Sequence, residues 1–119
     1  MTETQTALAR RAVACKGWRW MPGMRWIVIR AAPLEDYAGR IAELGRRVPD
    51  GPGLPDLTDP ATVGCLLALV REAWGQEPTG FVVPTHAGGW SYYTRLIAAD
   101  WYAGDTEAEA LVAALESAP

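Results

Sequence analysis

Three tryptophans and three cations lie within the stretch KGWRWMPGMRW, residues 16–26. Indole rings offer flat faces on which a planar group can stack, and neighbouring cations attract phosphates. The stretch therefore predicts a site for a small anionic ligand of nucleotide type. In this hypothesis the rings stack on the ligand and the cations meet its phosphate or ribose groups. The candidate residues are Lys16, Trp18, Arg19, Trp20, Arg25 and Trp26.

A second group of aromatic residues lies nearer the C-terminus and comprises Trp90, Tyr92, Tyr93, Trp101 and Tyr102. We include Tyr93 and Tyr102 among the candidate ligand-binding residues. For both groups the alternative is a wall of the hydrophobic core, because aromatic side chains at alternating strand positions commonly pack inward. An excess of Trp, Tyr and Arg would also suit a protein–protein or self-association surface.

Residues suited to catalysis are few. The single histidine, His86, lies in a glycine-rich stretch, and the only serines are Ser91 and Ser117, so the sequence offers no evident nucleophile–base pair. Cys15 and Cys65 lack metal-ligand spacing and fall on the apolar sides of predicted helices, which favours buried, reduced thiols. We therefore expect no enzyme activity, no cofactor and no metal site.

Charge and hydropathy limit the class of protein. The formal net charge is −3, yet residues 1–30 carry six basic residues and one acid. An acidic chain argues against general nucleic-acid binding, whereas its basic end could attract an anionic ligand. Apolar runs are too short for a membrane span, and the N-terminus lacks the apolar region of a signal peptide. We expect a single domain over residues 1–119, in the cytoplasm and without membrane contact.

Four segments have the apolar periodicity and the end signals of helices. They are residues 3–16, residues 34–48, residues 59–75 and a C-terminal segment that begins at residue 106. The clearest start is Asp59 before Pro60, which combines an N-cap acceptor with a proline at the first helical position. Thr2–Gln5 and Thr106–Glu109 both match the capping box.

Strands are predicted between these helices. A turn at Met21–Met24 would join two of them in a hairpin that places Arg19 opposite Trp26 and Trp20 opposite Arg25. Further strands are expected at residues 81–84, 90–97 and 100–104. Residues 48–60, rich in proline and glycine, predict an irregular loop.

The predicted element order is therefore α-β-(β)-α-α-β-β-(β)-α. Strands that cluster in hairpins, with helices between the clusters, are typical of an α+β protein. We expect a small antiparallel sheet packed by about four helices.

Three stretches, WRWMPGM, DLTDPATVGCLLALVREAWG and TEAEALVAALESAP, resemble small uncharacterised proteins of tailed bacteriophages. This resemblance implies a viral accessory protein made inside a bacterial host, and it brings no assigned activity or functional residues. A looser resemblance is to phage anti-Thoeris sponge proteins, carried by Gly17-Trp18, Gly23-Met24 and Asp100-Trp101. It implies an oligomer that sequesters a nucleotide-derived immune signal without chemistry.

Together these features favour a phage-encoded, non-enzymatic accessory protein that acts in counter-defence. It would form a homo-oligomer and sequester a small anionic, nucleotide-type signal in the host cytoplasm. Two alternatives stay open: a protein–protein inhibitor that docks an acidic face onto a host or defence protein, and a virion or assembly component.

Overall fold

The computed structural model describes residues 1–30, 32–41, 53–75, 80–94 and 101–119. Within these ranges the chain forms three α-helices and two antiparallel sheets of three strands each. The helices are α1 (Glu3–Ala14), α2 (Pro60–Ala73) and α3 (Glu107–Ser117). The strands are β1 (Arg25–Val28), β2 (Tyr37–Arg40), β3 (Gly53–Pro55), β4 (Phe81–Pro84), β5 (Trp90–Tyr93) and β6 (Trp101–Gly104).

All three helices begin where their capping residues predict. At α1 the capping box is complete, because Thr2 Oγ1 accepts from Gln5 N–H and Gln5 Oε1 accepts from Thr2 N–H. At α3, Thr106 Oγ1 accepts from the Glu109 N–H, but the Glu109 carboxylate accepts from the Asp105 N–H. The Glu109 side chain therefore contacts the residue before the N-cap, one position away from the contact that the predicted capping box requires.

The first sheet has the order β2-β1-β3, with β1 in the centre. The helix predicted over residues 34–48 is wrong here, since Tyr37–Arg40 pairs with β1 as a strand; residues 42–48 lie outside the described residues. The hairpin between residues 18–21 and β1 is also wrong, because β2 and β3 are the partners of β1. An apolar central strand needs a neighbour on each edge, and these neighbours come from distant segments.

The predicted irregular loop over residues 48–60 supplies one of these neighbours. Gly53–Pro55 pairs with Trp26–Val28, while residues 48–52 lie outside the described part of the chain. Proline lacks the N–H that a central strand must donate, so a strand that contains it belongs at the edge of a sheet. That is where β3 lies.

The second sheet has the order β4-β5-β6 and is built from strands that follow one another in sequence. The predicted strands at residues 81–84, 90–97 and 100–104 are confirmed for Phe81–Pro84, Trp90–Tyr93 and Trp101–Gly104. Residues 95–100 lie outside the described residues.

Helix α3 occupies the centre of the molecule. It contacts all three strands of the second sheet and both other helices. Six of its eleven residues are buried, including Leu111, Val112 and Leu115, which were predicted to point inward. One core cluster contains buried residues from all three helices and from both sheets. A smaller cluster of Met24, Ile41 and Leu69 joins the first sheet to α2.

The α+β class is thus confirmed, whereas the details of the prediction are not. The structure has two small sheets in place of one, and three helices within the described residues in place of about four. The element order differs accordingly, because β2 and β3 occupy segments that were assigned to a helix and to a loop.

Candidate functional site

The N-terminal tryptophans contribute to packing. The turn at Met21–Met24 forms as predicted: Met24 N–H donates to Met21 C=O, and Gly23 has a φ of 95°. Trp18 and Trp20 meet edge to face, with ring centroids 5.4 Å apart. Both rings are half-buried and pack against the smaller core cluster, and Trp18 also packs against the main one. These rings therefore connect the two clusters.

Two of the three cations of this stretch, Arg19 and Arg25, have anionic partners. Arg19 lies 2.6 Å from a carboxylate oxygen of Glu72, and both side chains are about half exposed. Arg25 Nε donates to Asp56 Oδ2 at 3.0 Å. The expected Arg–Trp pairs depended on the hairpin that does not form, and acidic residues of the middle segment hold the two arginines instead. Lys16 is exposed at the end of α1.

Trp26 lies across the first sheet. Its ring covers Gly39, where an added Cβ would lie 2.4 Å from the indole, and meets Tyr37 edge to face at 5.8 Å. Arg30 lies over the ring of Tyr37, with its guanidinium carbon 5.0 Å from the centroid. A stacking face of Trp26 is thus occupied by its own sheet.

The segment DLTDPAT fixes the first sheet to the start of α2. Asp59 accepts from the Thr62 N–H as N-cap, and its two oxygens also accept from Arg40 at 2.8 and 3.0 Å. The Arg25 N–H donates to Thr62 Oγ1 at 2.8 Å. Hydrogen bonds from Arg40 and Thr62 lower the pKa of Asp59 well below its usual value, although burial opposes this shift. The charges of Asp59 and Arg40 therefore help to hold the first sheet against the start of α2.

The two candidate tyrosines lie on opposite faces of the second sheet. Tyr102 packs against the main core cluster and meets the ring of Trp74 at 5.7 Å. Tyr93 is on the other face and stacks on Phe81, with centroids 5.4 Å apart and an interplanar angle of 20°. The structure therefore separates Tyr93 from Tyr102, whereas Trp18 and Tyr102 pack against the same core cluster.

A cavity of about 460 Å³ opens beside Tyr93 and is called here the aromatic cavity. It is lined by Trp101, Ser91, Ala103 and Asp105 and by the turn between β4 and β5. Trp101 is 56% exposed and is the only one of the six tryptophans classed as exposed. Sequence analysis included Trp101 in the aromatic group but did not select it as a binding residue.

A larger cavity of about 600 Å³ lies where the first turns of α1, α2 and α3 converge, and is called here the three-helix cavity. Its apolar wall includes Leu8, Leu57 and Val63, which also belong to the main core cluster. Gly64 of α2 lines the same cavity, and a Cβ added there would meet nothing within 4 Å. No sequence pattern indicates this site, because its walls come from three distant segments.

Three further features of the described residues concern metal binding, thiol reactivity and membrane crossing. Among these residues, no group of three His, Cys, Asp or Glu side chains could hold a metal ion. Both cysteines are free and half-buried, and burial raises the pKa of each thiol, which disfavours the reactive thiolate. The helices of the described ranges are all too short or too polar to cross a membrane.

Comparison with known proteins gives no family. The chain matched no family model, no curated protein and no solved structure. Its function must therefore be argued from its own residues.

Proposed function

We propose that the protein is a non-enzymatic binding protein that takes up a small, mainly apolar molecule in the three-helix cavity. The volume of about 600 Å³ falls in the range usual for small-molecule sites, which are concave and mostly apolar. Core side chains form the floor, and threonine hydroxyls at the helix starts offer a few polar contacts; Thr2, Thr58 and Thr106 lie on this rim.

The observation that carries this proposal is Gly64. Glycine in a helix interior costs about 1 kcal/mol relative to alanine. No close contact requires a glycine at this position, because an added Cβ would enter open space. Gly64 is exposed where it lines the cavity, so its missing side chain leaves the opening unobstructed, which is consistent with a site that trades stability for a bound molecule.

The charge of the lining disfavours an anionic ligand. None of the described lining residues is Lys or Arg, while Glu107 and Glu109 lie at the rim. The positive ends of the helix dipoles are offset by acidic first-turn residues, which are Glu3 in α1 and the same two glutamates in α3. A neutral or positively charged molecule suits this lining better than a nucleotide.

The proposed ligand differs from the one expected from the sequence, whereas the proposed role, sequestration without catalysis, is the same. The nucleotide hypothesis relied on Arg19, Arg25 and Lys16, and both arginines have carboxylate partners. For the biological role we retain the phage-encoded accessory protein that withdraws a small molecule from the host cytoplasm, as the sequence resemblance implies. A homo-oligomeric state remains part of that proposal.

The test uses two substitutions at Gly64 and the neutral fluorescent probe Nile red. Gly64→Trp places a large side chain in the cavity and should weaken probe binding by about tenfold or more, equivalent to at least about 1.4 kcal/mol. Gly64→Ala is the matched control, which should retain binding and stabilise the fold by about 1 kcal/mol. Equal binding by the wild type and Gly64→Trp would show that this cavity is not the site.

Native mass spectrometry gives a second, independent test for a bound small molecule. The protein purified gently from bacterial cells should carry a bound mass of small-molecule size, which Gly64→Trp should lose. The same spectra measure the number of subunits directly. A bare protein that also fails to bind Nile red would reject the proposed function.

A further inference from the structure

The face of the second sheet that points away from α3 carries a row of aromatic side chains. Val82, Tyr92 and Tyr102 pack into the main core cluster, so their strand neighbours point to the opposite side. Strand register places Phe81 opposite Tyr93 and Tyr93 opposite Trp101. The aromatic cavity lies on this outer face, next to the last two rings.

Ser91 contributes a polar group to the lining of this cavity. The residue is only 2% exposed overall and lines the cavity wall. A hydroxyl can both donate and accept, so Ser91 can hydrogen-bond to a molecule seated in the cavity.

Trp101 supplies the stacking face. A large indole that is 56% exposed beside a concave surface leaves much apolar area in contact with water. A planar ring placed against it would bury that area, and aromatic rings favour offset-stacked or edge-to-face contacts with one another. Ser91, which lines the same cavity, would orient a hydrogen-bonding edge of the ligand.

Charge then limits which planar molecules fit. The carboxylate of Asp105 is at the rim, and the described lining contains no Lys or Arg. We infer that the aromatic cavity is a second ligand site, which binds a planar heteroaromatic molecule that is neutral or positively charged. Trp101 stacks on its ring, Ser91 hydrogen-bonds to its edge, and Asp105 disfavours anions. This site is separate from the three-helix cavity and does not depend on it.

Three probes of similar shape and different charge test the inference. They are 1-methylquinolinium, adenosine and adenosine monophosphate, titrated by calorimetry and by tryptophan fluorescence. The cation should bind most tightly and the nucleotide most weakly. Trp101→Ala should weaken binding of the cation by about tenfold, as expected for the loss of one stacking partner. Ser91→Ala should weaken binding of adenosine by about three- to tenfold, as for one hydrogen bond.

The controls separate this site from effects on folding and from the other cavity. Trp101→Ala should keep the wild-type unfolding midpoint because the indole is largely exposed, and Ser91→Ala should keep it because the substitution removes a single oxygen atom. Gly64→Trp should leave binding of all three probes unchanged. The inference is overturned if no probe has a dissociation constant below about 10 mM, because such binding would be too weak for a specific site. It is equally overturned if binding survives both substitutions, or if the nucleotide binds best.

Discussion

Asp59 is the residue whose replacement tests the structure most directly. One of its carboxylate oxygens accepts from both the N–H and the hydroxyl of Thr62, at 3.0 and 2.9 Å. Both oxygens also meet Arg40. Replacement by alanine removes all of these contacts, whereas asparagine can keep the Thr62 contacts through its amide oxygen but loses the negative charge and one acceptor for Arg40.

The expected loss on Asp59→Ala can be worked out from these contacts. Removal of an N-cap acceptor costs about 1 kcal/mol. The Thr62 hydroxyl is fully buried and loses its acceptor, which costs about 1 kcal/mol more. The total of about 2 kcal/mol should lower the unfolding midpoint by about 8 °C, at about 4 °C per kcal/mol for a domain of this size. Asp59→Asn should cost much less, because the arginine partner is exposed and exposed ion pairs contribute little.

Calorimetric unfolding at pH 7 compares the two variants with Glu72→Ala as the control. Glu72 forms an exposed pair with Arg19 and caps no helix, so its removal should change stability by less than about 0.5 kcal/mol. Losses of equal size for alanine and asparagine would mean that the charge, and not the cap, holds the sheet to α2. Losses below about 0.5 kcal/mol in both variants would refute the role assigned to this network.

Three further predictions concern packing, acid stability and thiol reactivity. Gly39→Ala should destabilise the protein by about 1–3 kcal/mol and shift the tryptophan emission, because the new Cβ would overlap Trp26; an unchanged emission spectrum and midpoint would contradict this packing. Asp59 and Glu116 have folded pKa values below their unfolded ones, each chiefly through a hydrogen bond from an arginine, so their stabilisation is complete above about pH 4.5 and is lost as pH falls through the folded values. Unfolding midpoints measured from pH 7 down to about pH 2 should therefore fall only below about pH 4.5, and less steeply in Asp59→Asn. Both cysteine thiols have raised pKa values through burial, so a maleimide should label them more slowly at pH 7 than in the unfolded protein; equal rates would show that they are accessible.

The helix ends were predictable from sequence because their signals are local. Thr2, Asp59 and Thr106 each act on backbone groups within three residues, so the order of residue types suffices to place them. The strands of the second sheet were predictable for a similar reason, since neighbours in the sheet are also neighbours in sequence.

The first sheet was not predicted, although β1 and β2 are neighbours in sequence, because β3 is distant and the local pattern around β2 favours a different element. The apolar spacing of residues 34–48 fits a helix, yet residues 37–40 pair with β1 and Gly39 provides the space that Trp26 occupies. Nothing within one helical turn of Gly39 reveals that contact. The partners of two candidate cations were unpredictable for the same reason: Arg19 and Arg25 pair with residues 72 and 56, far along the chain.

The central place of α3 has a consequence for how the chain folds during synthesis. This helix follows every other described element in sequence, and it supplies contacts to both remaining helices and to the whole second sheet. A nascent chain that has not yet released residues 107–117 from the ribosome therefore lacks five of the fourteen buried residues of the main core cluster. Folding should occur in one late step after α3 emerges, and pausing translation before that point should leave a protease-sensitive chain.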